Sequence, residues 1–404
     1  MATLHRVGTA LVAFMVMAIP SAAQSPSETL MLDWLALVRS HEAGTMDDAS
    51  ASASELSPDQ IDIFLPRALE SIDVPTLKRA LSMHTDIALA QQATLARPAV
   101  GSRTAVVLLD GLAIDDIPRA QPWRICWKLA TGLATRRDQG PAIAAWFRAT
   151  GAVLQQLGDC DLLAYHLDAG LSLFARDAVI ALYAGTLHQT FADARVQAFI
   201  ARRQAAPTMP SGISPLAQSK WAAFEQARRD LDRRMRVGRD AATRNEPQAA
   251  DIELGLARDF FRRALQLDPS LHETRIRLAH VMSDLGNHEE AVATVKPALA
   301  TTLGPFLEFY AAVILGRSEE HLGHYAAAGE AYARAAARFP GAQSAELGRS
   351  RIALTQGRAD DAVAIAVGVV GPESPEHADP WSSYFRVHDP DAGALLAAWR
   401  EGAK

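Results

Sequence analysis

Apolar residues return every third or fourth position along most of the chain, with polar residues between them. This is the spacing of amphipathic α-helices. Ser27-Glu28 opens a first helix carrying Leu30, Trp34, Leu35 and Val38, which Gly44 can end. Residues 45–54 are small and polar and read as a loop. Ser57-Pro58 restarts a helix to about Ser71, and Pro75 opens another to about Ala93 with Leu77, Leu81, His84, Ile87 and Leu89. Helical spacing resumes at Pro122, with Trp123 and Trp127 one turn apart. From about Ala144, two helices meet at Leu157-Gly158, the first with Gly151 and the second with Leu163, Leu167, Gly170 and Leu171. Gly185 follows Gly151 by 34 residues, again within an apolar helix (Tyr183, Leu187, Phe191). Pro207, Pro210, Gly212 and Pro215 mark a linker or long loop. A long helix is expected from about Leu216 to Arg236, with Trp221, Phe224, Leu231 and Met235 on one face.

One stretch departs from the helical period. Two apolar runs, 105–109 and 112–114, flank Asp110-Gly111, a turn pair that tolerates positive φ. The pattern predicts a small β-hairpin over 105–114, with a helix as the alternative. Such a ribbon would have to lean on neighbouring helices.

The second half repeats itself. An alanine early in a helix recurs at Ala257, Ala291, Ala328 and Ala362, in steps of 34, 37 and 34. A later alanine follows the same steps at Ala264, Ala298 and Ala335. A turn glycine recurs at Gly286, Gly323 and Gly357. Three extra residues near Leu303-Gly304-Pro305 account for the long step. Small residues (Ala257, Ala264, Ala279, Gly316) let helices approach closely, while Phe261, Leu278, Leu285 and Tyr332 fill the space left. The glycines end the first helix of each pair, and Pro269 and Pro340 stop the second.

This arrangement resembles the tetratricopeptide repeat family, whose units are 34-residue helix pairs. The match is strong over 251–370, weaker over 144–194 and absent before about Pro118. Arg275, Ala312 and Glu346 stand where the family often has a bulky aromatic, and Pro247 interrupts the opening helix of the unit that ends at Pro269. The expected fold is all-α, a tetratricopeptide-like helical repeat solenoid with the small hairpin in its N-terminal half. The expected organisation is a leader over 1–23, a helical region over 24–140 and repeats over 141–205. A linker over 206–215, repeats over 216–375 and two helices over 376–404 capping the apolar end follow.

The resemblance implies a protein or peptide partner held on a concave face lined by the first helix of each unit. It places Glu273, Ile276, His280 and Asp284 there, then Tyr310, Val313, Arg317, Glu320 and His321, then Leu347, Arg351 and Leu354. The lysine and asparagine with which some members clamp a C-terminal carboxylate are absent.

Composition changes this picture in two places. The 404 residues are 49% hydrophobic but only 6% aromatic, which suits close-packed helices; a formal charge of −6 lacks the concentrated basic face of a nucleic-acid binder. The first 23 residues read as a secretory signal: Arg6, an apolar run over 10–19 too short to span a bilayer, Pro20, then Ser21-Ala22-Ala23. Removing it takes Arg6 and leaves −7, with no remaining stretch of membrane-spanning length. The expected location is periplasmic or secreted. Cys126 and Cys160 are expected as buried free thiols: a shared repeat register would hold them on helices about 8–10 Å apart, too far for a disulfide.

Candidate chemistry is thin. His280, His288, His321 and His324 fall in neighbouring units, but Gly323 separates the last two and no flanking carboxylate completes a zinc signature, so no metal or other cofactor is expected. His84 with Asp86 and His166 with Asp168 lie two apart, pointing to different sides of a helix. The basic run 228–239 is broken by Asp230 and Asp232 and reads as a wet helix face. Nucleophile motifs and phosphate loops are absent. The expectation is a non-catalytic binding scaffold. The rival is an exported enzyme with its site between 28 and 205, starting from His84, Asp86 and the segment after Asp110.

Overall fold

The computed structural model describes residues 69, 72–95, 121–204, 246–370, 379–385, 387 and 392–403. The leader, the helices expected before residue 69, the hairpin over 105–114, the linker over 206–215, the helix over 216–236 and the basic run all lie outside them. Among the described residues there are thirteen α-helices, one 3-10 turn and no strand.

The helices are α1 (Val74–Leu95), α2 (Gln121–Ala134), α3 (Gly140–Leu157), α4 (Cys160–Leu173), α5 (Ala178–Gln204), α6 (Glu246–Leu267) and α7 (His272–Asp284). They continue with α8 (His288–Leu299), α9 (Pro305–His321), α10 (Tyr325–Arg338), α11 (Gln343–Thr355), α12 (Ala359–Val370) and α13 (Ala392–Ala403). The turn Pro380–Ser383 lies between the last two. No helix among the described residues is long and apolar enough to cross a membrane.

These elements fall into two compact units, one holding α1, α2, α3 to Ala149 and α13 from Gly393, the other Thr150–Ala392. In the first, Asp73 caps α1 by accepting from the Thr76 N–H at 2.9 Å. Leu77, Leu81, Trp123, Leu129, Trp146 and Phe147 are buried in its core. The Trp146 indole donates to Thr85 Oγ1 at 3.0 Å, and that hydroxyl donates back to the Leu81 carbonyl at 2.6 Å, so neither buried polar group is left open. Arg400 of α13 pairs with Asp86 of α1.

The second unit is a tetratricopeptide-like array of helix pairs. Its turn glycines Gly158, Gly286, Gly323 and Gly357 all have φ between +72° and +81°, which a residue with a Cβ adopts only at a cost of roughly 1–2 kcal/mol. The repeated alanines Ala257, Ala264, Ala291, Ala298, Ala328 and Ala335 are fully buried. Tyr332 of α10 shows how pairs stack. A Cβ on Gly316 of its own pair would come within 2.8 Å of its ring, and one on Gly348 of the next pair within 2.5 Å. The ring thus occupies the gap that two glycines leave. Where the glycine position holds Ser350, the hydroxyl donates to the Ala362 carbonyl at 2.7 Å.

The same geometry recurs between Gly185 and Phe261, where a Cβ would meet the ring at 2.5 Å. With Gly185 against Phe261, the contacts of the later residues His188 and Arg195 with the earlier Glu253, at 2.7 and 3.2 Å, show α5 running antiparallel to α6. The opening helix for the unit that ends at Pro269 is therefore α5, and residues 205–245 are inserted within a single pair. This corrects one expectation: Pro247 stands in the first turn of α6 and starts it rather than interrupting an opening helix. The expected linker or long loop over 206–215 falls within the inserted residues. The cause is local: where other units carry a stop glycine seven residues after the crossing point, this one carries Ala192, and α5 runs on to Gln204.

Of the two helices expected over 376–404, the first is represented by a 3-10 turn at 380–383 laid on the array's side, and the second forms as α13 but packs in the first unit. Val363 and Val367 of α12 stay exposed. Cys126 and Cys160 are both free, but not at equivalent points. Cys126 is buried in the middle of α2, whereas Cys160 opens α4 and is half-buried. Burial pushes both thiols up, Cys160 to about 12.

Candidate functional site

The predicted groove positions lie on the opening helices α7, α9 and α11, and the structure divides them by what covers them. Across α7 and α9 lies a strap of the chain's own residues, Asp379 to Val387. It crosses the opening helices in reverse order of the repeats, anchored by side chains of each.

At the α11 end, the Asp379 carboxylate accepts from the Ser344 N–H at 2.7 Å and the Ser344 hydroxyl at 3.0 Å. It therefore sits at the electropositive start of that helix. The same carboxylate accepts from the Trp381 N–H at 2.9 Å and starts the 3-10 turn. On α9, the Tyr310 hydroxyl donates to the Pro380 carbonyl at 2.9 Å and lies 3.1 Å from Ser383 Oγ. Burial raises that phenol to about 12.

The Tyr384 ring, 1% exposed, enters the face of α7. Trp381 stacks on it with centroids 4.6 Å apart, and His280 and Tyr310 meet it edge-on. Arg277 lies over the ring at 4.8 Å and donates to the Tyr384 carbonyl at 2.8 Å. The buried guanidinium is balanced by Glu273, one turn earlier, at 2.7 Å. On α5, the Gln189 amide donates to the Tyr384 hydroxyl at 3.3 Å and to His280 Nδ1 at 2.9 Å. The other His280 ring nitrogen, Nε2, lies 3.3 Å from Asp284 and 3.5 Å from Arg317 Nη1. Burial holds its pKa below the usual histidine value; Asp284 opposes that shift, while Arg317 and Arg277 add to it. On α3, the Gln155 side chain accepts from the Val387 N–H at 3.1 Å.

Of the predicted positions, Glu273, Ile276, His280 and Tyr310 are therefore buried in contact with the strap or with residues that hold it. Val313 is buried in the core beside them. Asp284, Arg317, Glu320, His321, Leu347, Arg351 and Leu354 keep more or less open surface. The charged ones bridge successive opening helices: Arg317 to Asp284 at 2.9 Å and Arg351 to Glu320 at 2.9 Å. Burial opposes the Glu320 charge, yet hydrogen bonds from Arg351 and Tyr332 hold its carboxyl below the usual range. Leu354 is 62% exposed.

The histidines are used structurally. His321 stacks on His288 at 4.4 Å with nearly parallel rings, and His324 starts α10 with its ring 2.7 Å from Glu319. Among the described residues no three His, Cys, Asp or Glu side chains are grouped to hold a metal ion. His84 is buried beside Asp86, which pairs with Arg400; His166 is buried against Thr150 at 3.0 Å while Asp168 is exposed. Neither pair converges.

Sequence reasoning missed Gln155, Gln189, Arg277, Ser344 and the strap itself. A signal for them existed. Gln155 and Gln189 stand 34 residues apart at one repeat position, and Tyr310 and Ser344 another 34 apart at a second. Trp381, Tyr384 and Phe385 also concentrate aromatics in an aromatic-poor chain.

Helix pairs of this register define the class: an all-α, tetratricopeptide-like repeat array bearing its own peptide on its inner face. No protein-family model matches the sequence, and no curated protein matches it. Among solved structures it is similar to the APC/C hetero-tetramer Cut9-Hcn1 at 13% identity and a TM-score of 0.29, covering 90% of this chain and 62% of that one. It is also similar to yeast Tom70 at 11% identity and a TM-score of 0.25, covering 93% of this chain and 96% of that one. The chain thus spans less than two thirds of the first. Likeness at that level carries no functional weight, and the class rests on the helix pairs themselves.

Proposed function

We propose that this protein is an exported, non-catalytic scaffold that binds another protein or a peptide on the inner face of its opening helices. One observation carries the reading: that face holds a short segment, residues 379–385 and 387, through side chains drawn from five successive opening helices. A surface that holds a segment in this way has the donors, acceptors and aromatic slots that peptide capture needs. Export is inferred from the leader-like residues 1–23. Of the starting points for the rival enzyme reading, the pair His84 and Asp86 is divided between a buried imidazole and a carboxylate engaged with Arg400, while the segment after Asp110 lies outside the described residues.

The test is affinity capture from native envelope extract using the intact chain and its Arg317→Glu/Arg351→Glu variant. Partners bound by the intact chain and lost from the variant support the assignment. If the variant retains every partner, the inner face is not the binding surface.

A further inference from the structure

We propose that the inner face of α5, α7 and α9 recognises one chemical class of ligand, a short acidic–aromatic segment folded into a 3-10 turn. Residues 379–387 are that ligand in cis, and an outside partner carries the same chemistry and competes with them. The proposal rests on the inner-face reading above and names the partner for it.

Three features support the assignment. The strap is gripped in part through its main chain: Arg277 and Tyr310 reach the Tyr384 and Pro380 carbonyls, and Gln155 reaches the Val387 N–H. Those three contacts can serve any segment that takes the same turn, because they read no particular side chain. Specificity then comes from two places. The start of α11 takes a carboxylate, with Ser344 supplying two donors to Asp379. The slot bounded by Arg277, His280, Tyr310 and Gln189 takes an aromatic ring with a hydroxyl, covered by a second ring three residues earlier. The pattern is an acid, proline, an aromatic, two small residues and a tyrosine. Lastly, the strap does not continue the 34-residue register, and Val363 and Val367 of α12 remain exposed, so its contacts with the inner face are not those of a further repeat.

The test uses a fluorescent peptide spanning residues 379–387, blocked at both ends, titrated against the full chain and followed by anisotropy. Wild type, Trp381→Ala and Trp381→Ala/Tyr384→Ala are compared, with helicity checked by circular dichroism. A strap that fills the site more than nine-tenths of the time lowers apparent affinity by at least about tenfold. The double variant should therefore bind the peptide at least about tenfold more tightly than wild type, with the single variant between them. Adding Gln189→Leu to the double variant should remove that gain, and a scrambled peptide should not bind. Equal affinity for wild type and folded variants, or indifference to Gln189→Leu, overturns the proposal. If the double variant loses helicity, the single variant decides by the same comparison, because Trp381 is only half-buried. Should the peptide fail while extract partners are still captured in an Arg317- and Arg351-dependent way, the ligand class is wrong and the binding surface stands. If capture fails as well, both fall.

Discussion

His280, Arg317 and Arg351 occupy the same position in three successive units, yet their side chains are 6%, 42% and 54% exposed. The repeat register is identical, and the difference is the strap, which closes over α7, reaches α9 and touches only the first turn of α11. An array built from one pattern thus presents a dry, aromatic-lined end and a wet, salt-bridged end. At the first, Gln189, Arg277, His280 and Tyr310 are each committed to specific partners. At the second, the charges pair across helices in contact with water, where such pairs contribute little. Burial follows from what lies above a position as much as from the position itself.

The largest expected effect comes from removing the ring that makes the covered end dry. Tyr384→Ala should destabilise the array by about 3–5 kcal/mol, the usual cost of truncating a buried aromatic, read from urea unfolding. A loss under about 1 kcal/mol would mean the strap is not packed as described. Leu354→Ala, on the open end, should stay within about 0.5 kcal/mol. Between these lies Gly348→Ala. Its methyl would meet the Tyr332 ring at 2.5 Å, and overpacking of that kind costs about 1–3 kcal/mol.

Acid should also separate the two ends. His280 and His288 both have pKa values held below the ordinary 6.5, His280 by burial and then its arginine neighbours, His288 by burial and then His321 and Arg317. A group depressed in the folded state leaves the unfolded chain holding more protons, so stability is full above 6.5 and falls as pH drops below it. The carboxyls of Glu308, Glu319 and Glu320 are opposed by burial but held below the ordinary 4.5 by their basic partners, and add a second loss starting there. Thermal melts at decreasing pH should decline from about 6.5, and His280→Gln should flatten the first part of that decline. A small effect is also expected from Arg351→Glu, within about 1 kcal/mol of wild type, since its pair with Glu320 is screened by solvent.

The repeat was legible because its determinants are local and periodic. Alanine at a close approach, glycine at a positive φ and proline at a stop each leave a mark at fixed spacing, and Ala257, Gly286 and Pro340 do what their positions imply. The α5–α6 pairing was harder to read. Its signal at Gly185 is separated from Phe261 by the inserted residues 205–245, and Ala192 removes the stop that would have announced the turn. The site was half legible. Register gives which positions face inward, as it did for His280 and Tyr310, but not what covers them, since the strap is held by contacts as distant in sequence as Gln155 to Val387. Arg277 escaped notice because its role, a charge buried under a ring, exists only once Tyr384 arrives.

Hydrogen exchange by mass spectrometry over residues 379–387 tests the central claim most directly. The amides of Trp381, Tyr384 and Val387 donate to Asp379, to Trp381 and to Gln155 on the array. They should exchange far more slowly than in the free peptide and lose that protection in Arg277→Ala. Exchange at free-peptide rates in the intact protein would contradict the account.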